Sequence, residues 1–167
     1  PQEAIALLSP MDRQPELTLK LAVRDSVSIT AVDQLVANLA ECGFVVEPDF
    51  LQVEAFFASW PDGPVFGGHY DLVLFPLHAA VENGCKWFIS ANVPSAENLE
   101  GLNISGWVDE AFDQACEQAY ASLSIDERIS FAGEAQSVFG ETLPALPLYW
   151  FPKYSILRCR VAGYQLD

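Results

Sequence analysis

The clearest pattern in the chain lies at residues 17–23, where Leu17, Leu19, Leu21 and Val23 alternate with other residues. That is the period of a strand with one buried face. Upstream, residues 3–8 read as the end of a short helix, broken by the turn chemistry of Ser9-Pro10-Met11-Asp12. Downstream the period becomes helical. Ile29, Val32, Leu35, Val36 and Leu39 fall on one face behind a capping Ser26 or Ser28, and Gly43 stands where a left-handed C-terminal residue is wanted. Residues 44–47 predict a second strand, limited by Pro48. Residues 53–60 predict another short helix, stopped by the tight-turn sequence Trp60-Pro61-Asp62-Gly63. Residues 70–75 form a continuous apolar run apart from Asp71, as in a strand buried on both faces.

Strand, helix, strand, helix, strand in that order predicts an α/β fold with a mainly parallel central sheet flanked by helices. A poorly periodic stretch, 76–106, separates this part from two predicted helices. In the first, Val108, Ala111, Phe112, Ala115 and Ala119 make an apolar stripe. The second opens on the capping box Ser124-Ile125-Asp126-Glu127 and continues through Ile129, Ala132, Ala135 and Phe139. Pro144 and Pro147 end the helical region, a strand-like piece covers 146–150, and a second extended piece covers 156–161.

Composition narrows the function classes. Of 167 residues, 51% are apolar, enough for one domain with its own core. The net charge is −15, with 23 acidic side chains against 8 scattered basic ones. No basic stripe exists to neutralise phosphates, so nucleic acid and anionic membrane surfaces are poor partners for it. The longest apolar stretch, 72–81, is about half the ~20 residues of a membrane span and contains Pro76 and His78. The start at Pro1-Gln2-Glu3, without methionine or a basic leader, reads as a segment of a longer protein. Cys42, Cys85, Cys116 and Cys159 lie 43, 31 and 43 residues apart, which fits neither a zinc pattern nor Cys-x-x-Cys. Three disulfide pairings or four buried free thiols remain open at this level.

Catalytic constellations are sparse. His69, Asp71 and His78 are the first candidates for a metal site or an acid/base pair, but an extended strand between the histidines would hold them roughly 30 Å apart. No metal site and no cofactor is expected. There is no Gly-x-Ser-x-Gly elbow, and Gly67-Gly68 precedes a strand instead of opening a helix, so it cannot cradle a phosphate. Asn103-Ile104-Ser105 matches a glycosylation sequon. Trp60, Phe66, Tyr70, Phe75, Trp87 and Trp107 fall mostly on strand ends and loops, consistent either with loop packing or with an aromatic-lined ligand cleft. The end of the strand at Phe75 is where an open α/β sheet forms its crevice.

Several motifs then coincide in order: Leu35-x3-Leu39-x3-Gly43-Phe44-x-Val46-Glu47, Tyr70-Asp71-Leu72, Phe88-Ile89-Ser90, Asn103-x-x-Gly106-Trp107, Phe112-Asp113, Asp126-Glu127-Arg128 with Gln136, Leu143-Pro144-x-Leu146-Pro147-Leu148-Tyr149, and Val161-Ala162-Gly163-Tyr164. Together they cover essentially the whole chain, which resembles the C-terminal lobe of family 5 extracellular solute-binding proteins. These receptors deliver peptides, nickel complexes and some oligosaccharides to ABC importers. Trp60-Pro61-Asp62-Gly63-Pro64 and Val93-Pro94-Ser95 look closest to members from Gram-positive and filamentous environmental bacteria.

The resemblance implies a lobe of the type II periplasmic-binding-protein kind, residues 1–167 being one domain of a two-lobed receptor that closes on its ligand by a hinge. The last stretch, from about residue 155, is expected to return to the other lobe. The implied function is non-enzymatic: one wall of an interlobe cleft for a peptide or other small solute, with ABC permease subunits as partners. The implied location is the extracellular face of the cytoplasmic membrane or the periplasm, with a signal or lipid anchor N-terminal to this segment. The ligand-facing candidates are Phe75, Leu77, His78 and Glu82, with Asn103 and Trp107. Oligopeptide receptors place a tryptophan and, three residues on, an amine-pairing aspartate where this chain has Leu77 and Ala80. A free-amine peptide in that register would leave its ammonium unpaired unless Glu82 substitutes. An extracellular setting favours a disulfide, and Cys85 with Cys116 is the preferred pair, since Cys85 precedes the Lys86-Trp87-Phe88 segment that packs near the first C-terminal helix. The competing reading is an enzyme domain using His78 with Asp71 or Glu82.

Overall fold

The computed structural model describes residues 1–22, 29–74, 76–77 and 84–148. In chain order the elements are α1 (Gln2–Leu8), β1 (Glu16–Ala22), α2 (Ile29–Glu41), β2 (Val45–Leu51), α3 (Val53–Phe56), β3 (Leu72–Leu74), two 3-10 turns (Gly84–Trp87 and Ser90–Asn92), α4 (Glu110–Ala121) and α5 (Ile125–Thr142). The three strands form a parallel sheet in the order β2-β1-β3.

The alternation in β1 works as predicted. Leu19 and Leu21 are almost fully buried, and with Val46, Leu72 and Leu74 they make one sheet face, covered by Val32, Leu35, Val36 and Leu39 of α2. Gly43 closes α2 at φ +94°, a conformation glycine adopts without the Cβ penalty of other residues. The opposite face carries Val73 and Leu51, packed against the buried pair Phe56 and Val65. Apolar cover on both faces explains why the β3 region reads as continuous.

Two predicted boundaries change. The second strand runs through Pro48 to Leu51, because β2 is an edge strand and proline's missing donor is tolerated there. The predicted 53–60 helix stops at Phe56, since Pro61 disfavours helical backbone at Trp60 and the chain turns at Phe57.

α4 and α5 pack on each other around Phe112, Ala115, Cys116 and Ala135, with Phe88, Trp107 and Phe139 against this cluster. Asp109 caps α4 by accepting from the Phe112 amide, and Ser124 caps α5 by accepting from the Glu127 amide. Val108 therefore precedes the helix and is exposed, as is Ile129, so the buried stripes are narrower than their spacing predicts. The predicted strand at 146–150 is absent over 146–148, where Leu146 and Leu148 are exposed; Pro144 and Pro147 remove the donors a ladder needs. The extended piece at 156–161 lies outside the described residues, as do the capping serines at 26 and 28.

Candidate functional site

Beyond β3 the chain passes through Pro76 and Leu77, which help to line an apolar pocket of about 230 Å³. Phe57, Val65 and Phe66, from the stretch after α3, form further wall. Trp87, Leu102 and Ile104, from the stretch between β3 and α4, complete it. All of these side chains are uncharged. The pocket stands at the C-terminal end of β3, the end at which open α/β sheets bind ligands. A larger hollow of about 320 Å³, lined by Ile5, Met11, Pro15 and Gly43 among others, lies instead where β1 and β2 begin.

The pocket is assembled from segments far apart in sequence, and specific contacts fasten them. Asn103 is fully buried. Its Nδ2 group donates to the carbonyls of Phe88 (2.9 Å), Ile89 (3.1 Å) and Trp107 (2.8 Å), and its Oδ1 accepts from Ser105 Oγ at 2.7 Å. The residues flanking it, Leu102 and Ile104, thereby stand beside the segment that carries Trp87. Tyr70 Oη donates to the Ile104 carbonyl, tying the start of the Tyr70-Asp71 motif to the same loop. Burial raises the Tyr70 pKa above the usual tyrosine value by penalising the phenolate. On the far side, Cys85 and Cys116 form a disulfide with Sγ–Sγ 2.04 Å and Cα–Cα 5.9 Å. The Ser90 amide donates to Asp113 Oδ1 at 2.9 Å, so α4 holds the Trp87 segment at two points. Cys42 is free and partly buried.

Of the residues expected to face a ligand, Leu77 lines the pocket and is 44% exposed. Phe75, His78 and Glu82 lie outside the described residues. Asn103 does not line the pocket; its amide is committed to neighbouring carbonyls, which makes it a positioning group and leaves no exposed amide for glycosylation. Trp107 also stands apart from the pocket, stacking edge-on against Phe112 at 4.9 Å and Phe139 at 6.2 Å between ring centres. The residues that sequence reasoning left out of the site are Phe57, Val65, Leu102 and Ile104, together with Phe66 and Trp87. The last two belong to the loop aromatics noted as candidate cleft surfaces, and that was the available signal.

Asp71 Oδ2 accepts from the Thr18 amide at 2.7 Å, and His69 Nε2 donates to the Pro61 carbonyl at 2.9 Å. Both groups serve the scaffold. Among the described residues no cluster of three or more His, Cys, Asp or Glu side chains could hold a metal ion. Among them, too, no helix is long and apolar enough to cross a membrane.

No family model matches the chain. It is similar over its whole length to two curated proteins of Pseudomonas aeruginosa: di/tripeptide-binding protein 2, at 26% identity, and di/tripeptide-binding protein 4, at 29%. It spans 31% of the length of each. Among solved structures, the oligopeptide-binding protein of Thermus thermophilus in complex with a pentapeptide matches with a TM-score of 0.70 at 23% identity, over 81% of this chain and 24% of that one. These matches agree with the resemblance drawn from the ordered motifs, and the fold is that of periplasmic binding proteins.

Proposed function

We propose that this chain is the C-terminal-lobe segment of an extracytoplasmic substrate-binding protein that serves an ABC importer, and that it supplies one wall of a cleft for a peptide or similar small solute. The observation that carries this reading is the apolar pocket rimmed by Leu77 at the C-terminal end of a parallel sheet, on the fold of peptide-binding receptors. In this reading residues 1–167 are one domain of a larger two-lobed protein, and the segment from about 155 returns to the other lobe. Phe75, His78 and Glu82, which lie outside the described residues, are also assigned to the solute-facing side in this reading. The buried Cys85–Cys116 bond fits an oxidising, extracytoplasmic compartment. A signal or lipid anchor would lie N-terminal to this segment, and the permease subunits would dock on the closed receptor. The enzyme reading gains no support, because Asp71 is engaged by backbone and the relatives are binding proteins.

The test is calorimetry on the full-length protein with short peptides, free and N-acetylated, alongside mass spectrometry of solutes that co-purify. Saturable binding with a negative heat-capacity change is expected. The isolated chain should bind the same solute at least about tenfold more weakly, a loss of roughly 1.4 kcal/mol, because it lacks the contacts of the second lobe. Chemical turnover of the solute, or equal affinity of the isolated chain, would overturn the reading.

A further inference from the structure

The end of the sheet opposite the Leu77 pocket holds a second concavity of different chemistry. The hollow of about 320 Å³ is framed by α1, the loop that enters β1, and Gly43. Its apolar wall is Ile5, Leu8, Met11 and Pro15, and its polar lining includes Asp12 and Arg13. Among the described residues neither of these two charges forms an ion pair, with the other or with any third group. We infer that this hollow binds a free apolar amino acid as its zwitterion, the ammonium against Asp12, the carboxylate against Arg13 and the side chain on the apolar wall.

The frame is held without a ligand. Ser9 Oγ donates to the Ala6 carbonyl at 2.7 Å and the Met11 amide to the Leu8 carbonyl at 2.9 Å, so the loop is wound onto the end of α1. The Val45 amide donates to the Pro15 carbonyl at 2.9 Å, which pins the other wall to β2. A Cβ at position 43 would crowd Leu8 Cδ1 at 3.3 Å, so glycine there lets α1 lie close over the start of β2. Walls fixed in advance lose less binding energy to ordering.

Charge selects the zwitterion over simpler ligands. With a formal net charge of −15, the chain repels a net anion at long range. A net cation drawn to Asp12 would meet the Arg13 guanidinium beside it. A molecule that carries both charges and sums to none complements both groups and approaches without that long-range repulsion. Size agrees. An apolar cavity of about 150 Å³ takes up benzene, so about 320 Å³ has room for a phenyl ring together with an amino-acid backbone.

Met11 is the only methionine of the chain and lines the hollow, so isotopic methyl labelling of methionine gives a single magnetic-resonance reporter. Titrating the labelled chain with L-phenylalanine or L-leucine should shift that signal saturably. N-acetylphenylalanine, phenylalanine amide and glycine each lack one of the three recognised groups and should bind at least about tenfold more weakly. Arg13→Gln should weaken phenylalanine by at least about tenfold and leave phenylalanine amide unchanged. Asp12→Asn should weaken phenylalanine similarly and leave N-acetylphenylalanine unchanged. Both substitutions fall at exposed loop positions, where the fold tolerates them. Leu77→Glu should leave the Met11 titration unaltered, which separates this hollow from the pocket at the other end of the sheet. The assignment is overturned by the absence of a saturable shift up to about 10 mM, by equal binding of the three analogues, by insensitivity to both loop variants, or by loss of the titration in Leu77→Glu. In each of those cases the receptor reading stands, because it rests on the opposite end of the sheet.

Discussion

The side-chain amide of Asn103 donates to the carbonyl of Phe88 across fifteen residues of sequence, at 2.9 Å. With its bonds to Ile89 and Trp107, it joins two loops that both line the Leu77 pocket. Replacing Asn103 by alanine would strand three carbonyls in or near the interior. Each buried group left unpaired costs about 1–3 kcal/mol, and partial relaxation lowers the total. We expect Asn103→Ala to destabilise by roughly 2–4 kcal/mol in urea titration. A loss below about 0.5 kcal/mol, the range of an ordinary surface substitution, would contradict this role.

Cys85 and Cys116 are 31 residues apart and both buried. Closing a loop of that length restricts the unfolded chain by about 3–4 kcal/mol. The double variant Cys85→Ser, Cys116→Ser should lower the denaturation midpoint by a corresponding amount. Non-reducing peptide mapping should recover the two cysteines in one linked fragment, and recovery of both as alkylated thiols would refute the bond.

Two glycines make a matched comparison. A Cβ at Gly63 would stand 1.8 Å from the Ala58 carbonyl oxygen, a backbone atom that cannot swing away, whereas a Cβ at Gly84 meets no atom of the described residues within 4 Å. Gly63→Ala should therefore cost more than about 2 kcal/mol or prevent folding, and Gly84→Ala should change stability by no more than about 0.5 kcal/mol. Equal melting temperatures for the two variants would be inconsistent with the tight crossing beneath Val65 and Phe66.

Tyr70 gives the chain a pH dependence on the alkaline side. Its folded pKa is raised by burial, so above the ordinary tyrosine value the unfolded chain loses its proton first. The stability linked to Tyr70 is complete below about pH 10 and declines as pH climbs toward the folded pKa. Ultraviolet titration should show a late-ionising tyrosine, and Tyr70→Phe should remove that late step. An unchanged profile in Tyr70→Phe would disprove the assignment.

The sheet and its helices were legible because they rest on period. Leu17, Leu19 and Leu21 announce β1, Val32 and Leu39 announce α2, and Ser124 announces α5. The pocket was legible at Leu77, because that residue follows a strand end, and at Phe66 and Trp87 only as loop aromatics that could equally pack a loop. Phe57, Phe66 and Trp87 meet there through loop crossings so close that Gly67 and Gly101 have backbone atoms where a Cβ would go, and such long-range crossings leave no period in the sequence. Asn103 misled for a related reason. The resemblance placed its loop at the ligand, and only the folded chain reveals the carbonyls of Phe88, Ile89 and Trp107 that its buried amide serves.

Pro48 bears on how this protein behaves at high concentration. It sits midway along β2, opposite Leu19, on the outer edge of the described sheet and between Glu47 and Asp49. An incoming strand from another molecule would find no amide hydrogen at Pro48, which interrupts the ladder, while the neighbouring Asp49 carboxylate is already paired with Lys20 Nζ. That edge is thus a poor template for strand-to-strand pairing between copies of the chain.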